Sequence, residues 1–214
     1  TRLCDAIHAV GTTFDCPVFG GDISTWDHPM LLSVTILAEP GECDPILRST
    51  AAAGDVVFVS GSLGGAMETI DDVTHHLDFE PRLALARALA AHPATRPNAM
   101  IDLSDGLAID LLRICRASQV RATLDGERIP IREAAHQTAR VTGRPVLEHA
   151  LGDGEDYELC FTIDAERAAA MPDELAGVSL HRVGRITEGE PGVDLIHAPP
   201  GLDIASLGWE HRGQ

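Results

Sequence analysis

Apolar and polar residues alternate along the 214-residue chain in patterns that predict helices and strands in turn. Leu3, Ile7 and Val10 have helical spacing, and Gly11 is the expected end of that helix. Further helices are predicted at 81–92 and 106–118, twice between 131 and 151, and once after Ile163. Apolar runs predict strands at 17–19, 30–38, 55–60, 99–103, 120–124, 157–163, 178–186 and 193–197. We therefore predict an α/β (α+β) fold in which helices cover a mixed sheet.

Pro40 and Gly41 interrupt this pattern directly after the most apolar predicted strand, 30–38. We place a domain boundary there, which gives domains at 1–40 and 41–214. The chain begins Thr-Arg-Leu-Cys-Asp, without Met or a signal peptide, so we expect a fragment or a processed N-terminus. No apolar run reaches about 18 residues, and no membrane span is predicted.

The composition is acidic, with 33 Asp and Glu against 16 basic residues and a net charge of −17. Every basic residue is Arg, and the missing Lys excludes Walker-type phosphate loops, protein kinases and Schiff-base enzymes. The negative charge argues against nucleic acid and anionic membranes as partners. An acidic protein can still bind phosphates when divalent cations lie between the two anions.

The cysteines and histidines do not indicate a zinc site. The five cysteines form no CxxC pair, which favours reduced thiols in the cytoplasm over disulfides. The ten histidines are scattered, and we interpret them as surface or hydrogen-bonded residues. Candidate chemistry therefore depends on carboxylates.

The first of three acidic turns is Phe19-Gly20-Gly21-Asp22. Paired glycines allow a ligand to approach the backbone closely, and Asp22 offers a hard oxygen ligand. Taken alone, this short motif is explained as well by a tight turn with a solvated Asp.

The second acidic turn, Asp102-Leu103-Ser104-Asp105-Gly106, lies between a predicted strand and a predicted helix. Ser104 or Asp105 can cap that helix, but capping does not explain Asp102. Two carboxylates so close repel each other unless a proton or a cation separates them. Without Cys or His nearby, the cation expected is Mg²⁺ or a similar hard ion, and free helix N–H groups can hold a phosphate oxygen.

The third turn, at 152–158, has four acidic residues within six positions and leads directly into a strand. A solvated acidic loop is one interpretation. The apolar strand that follows anchors the turn to the core, which favours recognition of a metal, a hydroxyl or an amine.

The three turns, in this order, resemble the thiamine-monophosphate kinase family, within the wider aminoimidazole ribonucleotide synthetase superfamily. The resemblance covers almost the whole chain. The matching stretches are FGGDIS at 19–24, RSTAAAGDVVFVSGSLGGA at 48–66, MIDLSDGLAIDL at 100–111, GDGEDYELCFT at 152–162, GRITEG at 184–189 and GWEH at 208–211.

For the nucleotide and the metal, the resemblance implies several roles. Asp22 resembles the aspartate that holds Mg²⁺ beside ATP, and Gly21 the glycine that contacts the nucleotide. Arg48 is similar to the arginine that reaches the ATP phosphates. Asp102 and Asp105 are implied as further Mg²⁺ ligands, with Ser104 touching ATP.

For the second substrate, the resemblance implies that Glu155 contacts the thiamine part of thiamine monophosphate. Trp209 occupies the place of a C-terminal aromatic residue that packs on that substrate. The implied reaction transfers phosphate from ATP to thiamine monophosphate, giving thiamine diphosphate. It needs no general base, because the attacking phosphate oxygen is already anionic near neutral pH.

The resemblance also implies a homodimer built through strands of the first domain, of which 1–40 would be the C-terminal end. The family's upstream aspartates have no match here, and Asp153 stands where the family usually has Gly. Two alternatives stay open. One is another ATP-dependent synthetase of the same superfamily, and the other is a non-catalytic module that binds nucleotide or thiamine phosphate.

Overall fold

The computed structural model describes residues 2–39, 43–70 and 73–209, and the chain divides into two units, Thr1–Glu39 and Pro40–Gln214. The first unit contains one helix, α1 (Arg2–Thr13), among its described residues. This helix was predicted, although it continues two residues beyond Gly11.

The prediction of two strands in the first unit, at 17–19 and 30–38, is wrong, because neither segment forms a strand. A strand is stable only when a neighbour completes its ladder of hydrogen bonds. No other segment within residues 2–39 pairs with these two, and apolar side chains such as Leu37, 90% exposed, remain at the surface. The apolar pattern was therefore not sufficient to form a strand here.

The second unit contains five further helices and nine strands among its described residues. The helices are α2 (Leu83–Ala91), α3 (Leu107–Ser118), α4 (Glu133–Thr142), α5 (Val146–Gly152) and α6 (Ala165–Ala170). The strands are β1 (Val56–Ser60), β2 (Thr69–Ile70), β3 (Val73–Thr74), β4 (Ala99–Leu103), β5 (Arg121–Asp125), β6 (Glu158–Ile163), β7 (Glu174–Leu175), β8 (Val178–Thr187) and β9 (Gly192–Ile196). Each helix and strand predicted from residue 55 onwards is present, while the short strands β2, β3 and β7 were not predicted.

Most of these strands form one mixed sheet in the order β4-β6-β1-β8-β5-β9, with β7 added beside β8. Neighbours on this path are antiparallel except β5 and β9, which are parallel. Strands β2 and β3 form a separate hairpin. The predicted mixed sheet covered by helices is thus confirmed.

Alternate residues of β1 point to opposite faces of the sheet, and each face has its own core. Val57 and Val59 pack in the core that contains apolar residues of α3 and α5. Phe58 lies in the other core, with residues of α2 and α6. Helices therefore cover both faces.

The pairing of β4 with β6 decides where the candidate chemistry lies. Leu103, the last residue of β4, is opposite Glu158, the first residue of β6. The second acidic turn follows the end of β4, and the third precedes the start of β6. The antiparallel register of β4 and β6 therefore brings the two turns together. Among the described residues, no helix has the length and apolar character that a membrane crossing requires.

Candidate functional site

The turn between β4 and α3 is held by a carboxylate that the sequence analysis did not single out. Oδ2 of Asp110 accepts backbone N–H groups from Ser104, Asp105 and Gly106, at 3.1, 3.0 and 3.1 Å. The Asp110 side chain is fully buried in α3. Burial raises the pKa of Asp110 above its ordinary value, while the hydrogen bond from Asp105 and the charge of Arg113 act in the opposite direction.

Arg113, also on α3, links the Asp110 carboxylate to the candidate metal ligand Asp105. Its guanidinium pairs with Oδ2 of Asp105 at 2.6 Å and forms a second ion pair with Oδ1 of Asp110. From the sequence we expected a proton or an added cation to relieve repulsion between Asp102 and Asp105. At Asp105 this cation is Arg113, so repulsion alone does not demand a metal.

A cleft of about 450 Å³ lies beside this turn. Three of the predicted site residues line it, namely Arg48, Asp102 and Ser104. Asp110 and Arg113 belong to its wall, with Ile46, Leu47, Met100 and Ile101. The structure thus brings together one arginine and one carboxylate that the sequence separates by more than fifty positions.

Arg48 and Asp102 face solvent in this cleft. Within the described residues, neither side chain takes part in an ion pair. The segment that carries Arg48 is fixed through its backbone, because Leu47 accepts from Met100 N at 3.2 Å and Arg48 O accepts from Ser118 Oγ at 2.8 Å. Both charged groups are therefore available to a ligand.

The third acidic turn docks on the second through its backbone. Glu155 N donates to Ser104 O, and Tyr157 N donates to Leu103 O, both at 2.8 Å. Gly154 has a φ of +74°, and a Cβ at this position would lie 2.7 Å from Ser104 O. Only glycine fits so close an approach with this backbone.

The C-terminal segment reaches the same turn. Trp209 N donates to Asp105 O at 3.0 Å, and the Trp209 side chain is 63% exposed. The backbones of Glu155 and Trp209 are thus attached to the turn that carries Asp105, while the roles of these residues in one site stay predictions.

The carboxylates of the third turn have different environments. Glu155 is half-buried and accepts a hydrogen bond from the Tyr157 hydroxyl, 2.8 Å from Oε2. Asp153 lies against the ring of His149, with Oδ2 2.9 Å from Nδ1. Asp156 and Glu158 are buried. A uniformly solvated acidic loop is therefore not what the structure shows.

Asp156 is an internal anchor of this turn. It is 1% exposed, and its Oδ1 accepts from Gly64 N at 2.9 Å and from Arg132 Nη1 at 3.0 Å. Its other oxygen, Oδ2, is buried without a hydrogen-bond partner in the described part of the chain. Burial raises the pKa of Asp156 to about 7, against the opposing charge of Arg132.

The neighbouring Glu158 is fully paired. Arg82 reaches its two oxygens at 2.8 and 2.6 Å, and Ser60 Oγ donates to Oε2 at 2.6 Å. His75 Nε2 lies 2.7 Å from Asp156 O. A carbonyl oxygen can only accept, so Nε2 of His75 is the donor, and burial lowers the pKa of this ring.

Asp22 belongs to the first unit, and Ser24 Oγ donates to its Oδ2 at 3.1 Å. Gly21 and Asp22 are exposed. Their roles beside Asp102 and Asp105 stay predictions.

One further group of possible metal ligands lies elsewhere in the second unit. Asp125, Glu127 and His197 can each present a ligand atom within 4.8 Å of the others. His197 Nδ1 lies 2.8 Å from Asp125 Oδ1, and this pairing raises the pKa of His197. Arg128 also pairs with Asp125, at 3.2 Å, so ion pairs among these residues explain the group without a metal.

Known proteins are similar to this chain over most of its length. The family described as AIR synthase related protein, C-terminal domain, matches residues 52–196. A thiamine-monophosphate kinase of Rhodopirellula baltica is 43% identical over 86% of this chain and 56% of its own length. One of Halobacterium salinarum is 36% identical over 99% of this chain and 69% of its own length. The chain thus spans little more than half of the first of these relatives.

Solved structures show the same fold. The crystal structure of thiamine-monophosphate kinase from Stenotrophomonas maltophilia K279a has a TM-score of 0.60 and 31% identity, covering 71% of this chain and 52% of that one. The structure of AaThiL complexed with AMPPCP and TMP has a TM-score of 0.53 and 29% identity, covering 78% of this chain and 54% of that one.

Proposed function

Because the chain belongs to the thiamine-monophosphate kinase family, we propose that it acts in the transfer of a phosphoryl group from ATP to thiamine monophosphate, which yields thiamine diphosphate. The observation that supports this most is the convergence of three segments on one turn. Glu155 and Trp209 donate backbone hydrogen bonds to the turn that carries Ser104 and Asp105. The relative solved with AMPPCP and TMP supports the same pair of substrates.

We propose that Mg²⁺ binds the carboxylates of Asp102 and Asp105, and the family resemblance implies a ligand role for Asp22 as well. Carboxylate oxygens are the ligands that this hard cation prefers. Asp105 is already paired with Arg113 at 2.6 Å, so the main support for this assignment is Asp102, which lines the cleft without an ion pair to another described residue. Bound Mg²⁺ supplies neutralisation and alignment of the phosphate groups.

Arg48 is proposed to bind phosphate oxygens of ATP, since its guanidinium lines the cleft without an ion pair to another described residue. A planar guanidinium matches two phosphate oxygens at once. Ser104 and Gly21 are proposed nucleotide contacts. The acceptor phosphate of thiamine monophosphate is anionic near neutral pH, so none of these residues has to act as a general base.

Glu155 and Trp209 are proposed to bind the thiamine part of the acceptor. A carboxylate suits the positive charge of its thiazolium ring or the amino group of its pyrimidine. An exposed indole offers a flat surface on which a cationic ring can stack. We also propose action in the cytoplasm as a homodimer, which the free cysteines of the described chain and the family resemblance favour.

The direct test measures ADP release by the product of the complete gene with ATP, Mg²⁺ and thiamine monophosphate. We expect release that depends on the acceptor and falls by orders of magnitude in Asp102→Asn, with unchanged thermal unfolding. Binding of both substrates without ADP release would indicate a binding module instead. Equal activity of the variant and the wild type would contradict the role of Asp102.

A further inference from the structure

The backbone of residues 155–157 is held at every position. Ser104 O and Leu103 O accept the N–H groups of Glu155 and Tyr157, and His75 donates to the carbonyl of Asp156. The Asp156 side chain adds an internal bond to Gly64 N. What remains adjustable at Glu155 is its side chain, which projects from this fixed backbone.

The same backbone is strained. Glu155 has a φ of +58° and Tyr157 a φ of +50°. Residues other than glycine adopt this conformation at a cost of order 1 kcal/mol or more, and they do so mainly where the surroundings enforce it, often in functional sites. The side chains of these two residues are neighbours, because a hydrogen bond joins them.

The hydroxyl of Tyr157 uses this placement to hold the carboxylate of Glu155. It donates to Oε2 at 2.8 Å, and no described residue donates to Oε1. Burial, together with the charges of Glu155, Asp102 and Asp105, raises the pKa of Tyr157 to about 12. The phenol is therefore protonated, and remains a donor, throughout the neutral range.

Phe79 fixes the phenol ring in turn. The rings of Phe79 and Tyr157 are stacked, with centroids 4.0 Å apart and planes 17° from parallel. Offset stacking of this kind restrains both rings. Phe79 thus limits the directions in which the Tyr157 hydroxyl can point.

We propose that Tyr157 is a positioning residue that orients the Glu155 carboxylate for a nitrogen-containing aromatic cation, keeping Oε2 occupied and Oε1 open to that ligand. The inference rests on the proposed function for the identity of the ligand, which is the thiamine part of thiamine monophosphate. It goes beyond that function because it explains how Glu155, one of several carboxylates in an acidic turn, becomes specific for the cationic ligand.

The test is a double-mutant cycle on thiamine monophosphate binding, measured by isothermal titration calorimetry. Glu155→Gln and Tyr157→Phe are each expected to weaken binding about 10-fold, the effect of losing one hydrogen bond to a charged group. In the Glu155→Gln background, Tyr157→Phe should cost less than 2-fold, because Tyr157 acts through Glu155. Binding of AMPPCP should be unchanged in all three variants.

A spectroscopic readout separates positioning from a merely structural role. Tyr157 is the one tyrosine of the chain, so its ionisation can be followed by ultraviolet absorption. Glu155→Gln should lower the pKa of Tyr157, because it removes both the accepted hydrogen bond and the negative charge. Thr187→Val, which removes a hydroxyl that donates to Arg121 O at 3.3 Å, is the control and should change neither binding nor this pKa.

The possible results are distinguishable. Additive losses in the cycle, or a Tyr157→Phe variant that binds like the wild type while Glu155→Gln binds weakly, would overturn the positioning role and leave the proposed function intact. An unaffected Glu155→Gln variant would overturn both. Loss of AMPPCP binding in Tyr157→Phe would show a general structural role and so contradict the proposal.

Discussion

At the scale of single residues, neighbouring carboxylates of the third acidic turn have different roles. Glu155 keeps one oxygen open, whereas Asp156 is 1% exposed and is tied to Arg132. Burial favours the neutral form of an acid, and proximity to a guanidinium favours the charged one. For Asp156 the effect of burial on the pKa outweighs that of Arg132, so the ionisation of Asp156 affects the stability of the fold.

We predict that Asp156 makes the protein less stable as pH rises from about 4 to about 7. Its pKa is about 7 in the folded chain and near 3.8 when unfolded, so in this window the folded state holds the extra proton. Deprotonation then favours the unfolded chain. Urea unfolding of Asp156→Asn should show a smaller loss of stability over this range, by at least about 1 kcal/mol.

Glu148→Gln is a suitable control, because Glu148 is 22% exposed and pairs with Arg144 at the surface. It should leave the pH profile of unfolding close to that of the wild type. Parallel profiles for Asp156→Asn and the wild type would show that Asp156 does not titrate in this window.

At the scale of elements, the strand–turn–helix unit of β4 and α3 depends on Asp110. One carboxylate oxygen accepts three turn N–H groups, and the other pairs with Arg113. The turn that presents Ser104 and Asp105 is therefore built from a residue on the helix that follows it. Arg113, which pairs with Asp110, also pairs with the side chain of Asp105.

We predict that Asp110→Ala lowers the free energy of unfolding by about 3 kcal/mol, because it leaves three N–H groups of the turn, that of Gly106 buried, without their acceptor and removes one of the two ion pairs of Arg113. Asp164→Ala is the matched control. Asp164 also accepts a backbone N–H at a helix start, from Arg167, but its side chain is 41% exposed and the loss should be about 1 kcal/mol. Equal losses in urea unfolding would contradict the anchoring role.

Most elements could be predicted from sequence because their apolar periodicity is strong. The register of β4 and β6, which joins the two acidic turns, is what placed the predicted residues together. Asp110 was missed, although a carboxylate among the apolar positions Leu107, Leu111 and Ile114 was a signal of an internal anchor. The strand at 30–38 could not be judged from its own residues, because strand formation depends on a partner.

At the scale of the whole molecule, the net charge is −17 and Lys is absent from the sequence. Binding of a phosphate group by a permanently charged side chain therefore depends on Arg. Arg48, Asp102 and Ser104 line one cleft, and Arg113 contributes to its wall. We propose that such a surface binds a triphosphate as its complex with divalent cations, which offset the negative charge of both partners.

We predict that Mg²⁺ raises the melting temperature of the protein more than NaCl of equal ionic strength does. A ligand that binds only the folded state stabilises it by mass action, whereas general screening of charge does not distinguish the two salts. Differential scanning calorimetry provides the measurement. Identical melting temperatures in the two salts would argue against a specific site.

The central claim is that carboxylates in the cleft recruit Mg²⁺ and that Mg²⁺ lets the nucleotide bind. It is tested most directly by calorimetric titration of AMPPCP with and without Mg²⁺, on the wild type and on Asp102→Asn. Asp102 suits this test because it forms no ion pair with another described residue. We expect tight binding by the wild type only with Mg²⁺ and a loss of this dependence in the variant. Binding that is equal with and without Mg²⁺, or equal dependence on Mg²⁺ in both proteins, would contradict the claim.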